Sequence, residues 1–254
     1  AHAPAKEGYC LICHAAHGSD EKYQLTEKTA DLCFGCHTEV GEESKISMLT
    51  HQPLTDELAC SNCHNPHSSG TYPLLKDESN TLCLGCHDKT ITRDSVSITN
   101  ISSLLRRSKI IHLPVVQGGC VMCHEPHSSG NRSLLTGYYT PDQYAEATPE
   151  NFELCFFCHD TDLLEARETE YATNFRNGLQ NLHALHTNGN RGRSCSMCHD
   201  PHGTAGERLT VTTIQFASWP MKMDFRLTEN GATCATGCHG IKEYDRMNPV
   251  DYGK

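Results

Sequence analysis

The sequence predicts a mostly irregular, elongated chain with short α-helices and one small β-hairpin at about 209–227, built around a core that its own side chains do not supply. Three observations carry this expectation. Of 254 residues only 37% are hydrophobic and 7% aromatic, which is thin for a protein-only interior at this length. Cysteine and histidine stand far above ordinary usage, at 16 and 17 residues. Most of the linking sequence is Ser, Thr, Gly, Asn and Asp, the vocabulary of turns and loops.

A repeat organises the cysteines. The pattern C-x-x-C-H occurs seven times, with Cys10, Cys13 and His14; Cys33, Cys36 and His37; Cys60, Cys63 and His64; Cys83, Cys86 and His87; Cys120, Cys123 and His124; Cys155, Cys158 and His159; and Cys195, Cys198 and His199. An eighth copy is one residue longer, Cys234-Ala-Thr-Gly-Cys238-His239, and Gly237 eases the bulge this demands. Every cysteine is used, so none is left for a disulfide or a free nucleophile.

Two thiols about one helical turn apart can each add to a vinyl group of one haem, and the following histidine then lies beneath the ring to bind iron. The pattern therefore predicts eight covalently attached haems c. Zinc sites would pair the C-x-x-C units into groups of four ligands and would not place a histidine after every second cysteine. The haems are then the missing core, at about 32 residues per site.

The other nine histidines fall into two sets and a remainder. His17, His67, His127 and His202 each lie three residues after a proximal histidine, in the contexts CHAAH, CHNPH, CHEPH and CHDPH. Such a ring cannot cross its own porphyrin, so it is expected to reach the iron of an adjacent haem. Proline in three copies ends the motif's short helix and sets the ring's direction. His2, His51, His112 and His186 precede the first cysteines of alternate motifs by eight or nine residues. These eight match the eight irons as distal ligands, and His183, one helical turn before His186, is its substitute. Bis-histidine ligation implies lower potentials than Met/His ligation.

An upstream histidine, C-x-x-C-H-x-x-H and a second C-x-x-C-H form one dihaem module, used four times: 1–48, 49–109, 110–180 and 181–254. The spacing between the two motifs is 23, 23, 35 and 39 residues. Short helices are expected at Asp31-Leu-Cys33, Thr81-Leu-Cys83 and Glu153-Leu-Cys155, the last started by Thr148-Pro149-Glu150. Strict alternation in Met221–Leu227 predicts a strand, with Leu209–Phe216 its partner across Ser218-Trp219-Pro220.

The formal charge of -10 argues against nucleic acid, which calls for clustered Lys and Arg. The basic spots at Arg106–Lys109 and Arg191–Arg193 are short and read as solvated surface. The most apolar run, Ile110–Val116, is too short for a transmembrane segment and is interrupted by His112 and Pro114. The start Ala1-His2-Ala3 fits a mature product whose secretory signal has been cut away.

The paired C-x-x-C-H-x-P-H motifs resemble those of multihaem c-type cytochromes of metal-reducing and sulfate-reducing microbes, along essentially the whole chain. The resemblance implies export, extracellular or cell-surface more than periplasmic, and electron transfer with no catalytic residues. Some such proteins polymerise into conductive filaments; others are discrete periplasmic carriers or parts of outer-membrane conduits. A homopolymer with His2 or His17 completing a haem of a neighbouring subunit is the expectation here, with other redox proteins or extracellular acceptors as partners. Octahaem reductases of nitrogen or sulfur oxyanions are the enzyme alternative. The first module departs from the motif in carrying Ala15-Ala16 before His17.

Overall fold

All seven C-x-x-C-H motifs close on themselves in one way: the histidine N–H donates to the carbonyl of the first cysteine, at 2.9–3.0 Å. That single i to i−4 turn brings both thiols and the imidazole to one patch of backbone. The first motif of each module does so in a 3-10 turn, at Cys10–Ile12, Ala59–Asn62, Cys120–Met122 and Cys195–Met197. The second motif of the first three modules ends a short α-helix instead.

This computed structural model describes residues 1–93, 96–189, 191–216 and 218–253, with nothing said of the Arg93 side chain. They form two units, 1–88 with 118–136 and 89–117 with 137–254. The first holds helices α1 (Ala3–Lys6), α2 (Thr29–Phe34), α3 (Thr38–Ile46) and α4 (Ser79–Leu84), and the two-residue strands β1 (Leu49–Thr50) and β5 (Ser128–Ser129), which pair antiparallel. Ala59 is its one buried hydrophobic residue among those described. Local turns and main-chain bonds shape this unit, because apolar burial contributes almost nothing.

The second unit contains β2 (Ile91–Arg93) paired with β3 (Val96–Ile98), α5 (Ile101–Arg107), β4 (Ile110–Ile111), α6 (Leu113–Gln117), α7 (Glu153–Phe156) and α8 (Asp162–Glu165). Asn100 caps α5 with its side chain, accepting from Ser103 N–H at 2.7 Å. Strands β6 (Arg176–Asn177) and β7 (Gln180–Asn181) lead into α9 (Leu182–Thr187), and β8 (Gly203–Thr204) pairs with β4. Buried Asn181 starts α9: its oxygen accepts from His183 and Ala184 N–H, and its amide donates to the carbonyls of Asp162, Leu163 and Ala166.

An antiparallel sheet closes this unit, in the order β12-β11-β10-β9, from β9 (Thr213–Phe216), β10 (Trp219–Leu227), β11 (Gly231–Thr236) and β12 (His239–Asp245). The β9–β10 hairpin is the one the alternation predicts, with three corrections. Its first strand is Thr213–Phe216, because Leu209 ends the 3-10 turn Glu207–Leu209. Trp219 and Pro220 belong to the strand rather than the turn, opposite Phe216 and Gln215, and residue 217 lies outside the described residues. The hairpin is also half of a larger sheet, because β11 and β12, absent from the sequence expectation, continue it. Met221 and Met223 point to one face and bury with Met197 and Ile214; on β11 and β12, Ala232 and Tyr244 bury with Leu182 of α9.

Candidate haem attachment sites

After each first motif the chain returns through the same loop in all four modules. The hydroxyl five residues past the proximal histidine, Ser19, Ser69, Ser129 or Thr204, donates to the carbonyl six residues further on. The same oxygen accepts the N–H two residues on, in Glu21, Thr71, Asn131 and Gly206. Residues Thr26, Lys76, Thr136 and Val211 then donate their N–H to the carbonyl of the second cysteine, at 2.9–3.0 Å. Left-handed backbone at Tyr23, Leu74, Ser133 and Arg208 lets the loop turn that tightly.

The loop aims a carbonyl at the proximal ring. Nδ1–H of His14 donates to Tyr23 O at 2.9 Å, that of His64 to Pro73 O at 3.0 Å and that of His124 to Ser133 O at 2.8 Å; the Arg208 carbonyl supports His199. With Nδ1 holding the proton, Nε2 is left as the bare lone pair that a metal takes. This recurring hydroxyl loop is a functional element that sequence reasoning missed, although its signal was visible in the repeated H-S-S-G.

The upstream histidines use the next module in the same manner. His2 Nδ1–H donates to Pro66 O at 2.9 Å, His51 to Pro126 O at 2.9 Å and His112 to Pro201 O at 3.1 Å. Their backbone N–H groups donate to the following carbonyls, of His67, His127 and His202, at 2.9, 2.9 and 3.3 Å. Just before His51 and His112, β1 and β4 extend the contact by pairing with β5 and β8.

These bonds bring the rings together in pairs. His14 faces His67 with centroids 6.0 Å apart, and His64 faces His127 at 6.1 Å. His37 faces His2 at 6.0 Å, His87 faces His51 at 6.3 Å, and His159 faces His112 at 6.2 Å. In the last module His199 faces His183 at 6.3 Å, while His239 faces His186 at 6.5 Å. Six pairs lie within 31° of parallel; the His186–His239 pair is tilted 47°.

No hydrogen bond joins the two rings of any of these pairs. A metal–imidazole bond of about 2.0 Å on each side, with about 1.1 Å from ring nitrogen to ring centre, gives about 6.2 Å between centroids. A doubly ligated iron fits that gap, and the two thiols beside each proximal histidine fit covalent attachment of its porphyrin.

His183 and His186 face different partners, His199 and His239. His2 faces His37 and donates to Pro66 O within its own chain. His17 is exposed, and alone among the described histidines its ring has neither a facing ring nor a hydrogen bond.

The stretched motif sits on strands instead of a helix, Cys234 on β11 and His239 on β12. The register shift falls between Cys234 and Thr236, not at Gly237. A Cβ at Gly237 would lie 2.7 Å from the Met221 sulfur, so the buried Met221 side chain would have to shift. His239 Nδ1–H is held by Gly240 O at 2.6 Å.

Thiols of consecutive motif pairs lie side by side: Cys33 beside Cys60, Cys83 beside Cys120 and Cys155 beside Cys195. Cys198, deep in the second unit, is pushed up to about 11 by burial. The second attachment site of one module thus abuts the first of the next.

A family model for the doubled CXXCH motif matches residues 2–42, 51–92 and 112–163, just over half of the chain. The chain belongs to the doubled CXXCH motif family. It is a multihaem c-type cytochrome, and each matched segment holds two C-x-x-C-H motifs. The motif at Cys195 and the stretched motif at Cys234 lie outside them. No curated protein matches the chain. None of the helices among the described residues is long and apolar enough to cross a membrane.

Proposed function

We propose that this cytochrome carries electrons over long range through eight covalently attached, bis-histidine haems, and that it does so as an exported subunit of an extracellular filament. One observation carries the reading: a single tetrapeptide, His64-Asn65-Pro66-His67, gives one ring to its own site and the other to the site of the preceding module. Neighbouring sites are thereby fixed to each other through three peptide units of backbone rather than through a flexible loop.

When bound, each haem supplies a one-electron ferric/ferrous couple. The chain's own residues hold two imidazoles along each axis, which disfavours binding of substrate at iron and keeps the potential low. The Nδ1–H bonds to carbonyls orient the rings and raise their donor strength. A filament is supported by His17, which is exposed and faces no ring, whereas its counterparts His67 and His127 face His14 and His64. Partners in this reading are further copies, other redox proteins or extracellular acceptors.

Absorbance and electron paramagnetic resonance of the purified holoprotein, with electron micrographs of the same sample, test this. Low-spin iron throughout, no carbon monoxide adduct on reduction, and filaments are the expected results. A substantial high-spin fraction that binds nitrite or carbon monoxide would instead mark a reductase.

A further inference from the structure

The residue before the second cysteine measures how far each first motif is covered. Ile12 and Met122 are 55% and 53% exposed, whereas Met197 is 4% exposed. Ile214, Met221 and Met223 of the β9–β10 hairpin close over Met197, and Cys198 and Val211 pack on the same cluster. The alternation that makes β10 a strand thus turns its apolar face toward an attachment site.

A second cover comes from the third module, whose motifs stand 35 residues apart against 23 in the first two. Part of that added length straps the approach to Cys195. The Tyr139 hydroxyl accepts Ser196 N–H at 2.8 Å, Gln143 O accepts Ser194 N–H at 3.0 Å, and Ala145 N–H donates to Gly192 O at 3.0 Å. Ser194 beneath them is 2% exposed. Tyr144 bridges to Arg193 and sets its ring perpendicular to Phe216 of the hairpin, so strap and sheet meet.

The ring opposite His199 also differs in kind. His2, His51, His112 and His186 each give Nδ1–H to a carbonyl, which raises the donor strength of the other nitrogen. His183 Nδ1 is buried and has no acceptor among the described residues. Phe175 stands perpendicular to that ring at 5.1 Å while stacking on His186 at 5.5 Å. Hydrocarbon lies beside His183 where its counterparts meet a carbonyl.

Both features act on one balance. Ferric haem carries one more positive charge than ferrous haem, so dry apolar surroundings penalise the oxidised form. An imidazole with no acceptor at Nδ1 gives less electron density to ferric iron. We propose that the site of Cys195, Cys198, His199 and His183 is the electron sink of the chain, holding its iron at the most positive potential of the set. An electron on another haem comes to rest here: the donor goes from ferrous to ferric, this haem goes from ferric to ferrous, and no proton moves. His183 owes its weak support to Phe175, which is a positioning residue. The sink rests on the bis-histidine electron-transfer reading above and is independent of the filament; it adds a direction to the conduction.

Stepwise redox titration of the haem-loaded protein, followed by absorbance and electron paramagnetic resonance, tests this. The wild type should show a first step of about one haem in eight, with at least a tenfold greater preference for the ferrous form than the next, about 59 mV. A Cys195→Ala, Cys198→Ala variant should lose that step and keep the others. Phe175→Gln, which offers His183 Nδ1 an acceptor, should move only that step to lower potential, and Phe175→Leu, which offers none, should leave it in place. A wild type with no separate positive step would overturn the proposal whether or not the variants fold. So would a first step that survives loss of the Cys195 haem, or equal shifts in the two Phe175 variants. In those outcomes low-spin iron throughout leaves the electron-transfer reading standing, whereas a high-spin His199 site that binds carbon monoxide would end both.

Discussion

His51 and Pro126 are joined across 75 residues by a single hydrogen bond, His51 Nδ1–H to the proline carbonyl at 2.9 Å. The same bond recurs from His2 to Pro66 and from His112 to Pro201, across 64 and 89 residues. The intervening lengths differ while the contact does not. What holds the modules in register is therefore the contact, and the linking loops are free to vary.

The hydroxyl loop gives a clean pair of variants. Ser129→Ala removes a donor to Leu135 O and an acceptor for Asn131 N–H, both within a part-buried turn, at a cost of about 1–3 kcal/mol. Ser128→Ala, next to it, removes a buried hydroxyl that has no partner and should be neutral or stabilising. Chemical denaturation of the loaded protein compares the two; equal losses would contradict the assignment.

Ligand variants should separate by partner. His67→Ala and His2→Ala each remove a ring facing a proximal histidine, so each should turn one iron high-spin in dilute protein. His17→Ala should leave the dilute spectrum unchanged, since that ring faces nothing.

Asp200 supports the His202 ring. Its Oδ1 lies 3.3 Å from His202 Nδ1 and accepts the His202 N–H at 3.0 Å. Burial works against this carboxylate, yet the bonds from His202 and from Gly203 N–H hold it below its ordinary value. A ring leaning on a carboxylate is a stronger donor to ferric iron. Asp200→Asn should raise one reduction potential, by about 59 mV for each tenfold loss of preference for the ferric state, as followed by redox titration.

Acid should weaken the protein through its imidazoles. Burial pushes His183 down to about 4, and burial likewise lowers His51, His87, His112, His127, His186 and His199. An unfolded histidine binds its proton near pH 6.5. Between about 6.5 and the depressed folded values, the unfolded chain holds more protons, so stability is full above this window and falls as pH drops through it. In the chain produced without haem, whose imidazoles are free to titrate, the thermal midpoint should be flat from pH 8 to 7 and decline below 6.5. A midpoint constant down to pH 4.5 would contradict this.

The stretched motif predicts a count. Intact mass should exceed that of the chain by eight haems, and a Cys234→Ser, Cys238→Ser double variant should lose one while the other seven remain. A wild-type mass with seven haems would show that strands do not present these thiols for attachment.

Much of this was legible because covalent attachment demands residues at fixed spacing. Cys60, Cys63 and His64 must lie on one turn, and a ring three residues on, at His67, must point elsewhere. The β9–β10 hairpin was legible from the alternation of Met221, Met223 and Phe225. Strands β11 and β12 were not: Gly231–Thr236 and His239–Asp245 alternate weakly, and their pairing follows from neighbours already placed. Nor was the division of labour between His183 and His186, because one turn of helix puts both within reach and only the partners opposite, His199 and His239, decide between them. His2 looked like a loose terminal arm, since the carbonyls that seat it lie 64 residues away.

The seating of each upstream histidine on two main-chain carbonyls has a consequence for how such a chain changes over time. Carbonyls are present whatever the side chain, as Ala16 shows where its counterparts are proline. Duplicating one module in the gene would therefore produce a compatible seat at once, without any compensating substitution. Copy number becomes a variable that can drift in whole steps, and the span of the conductor is set by counting modules rather than by redesigning them.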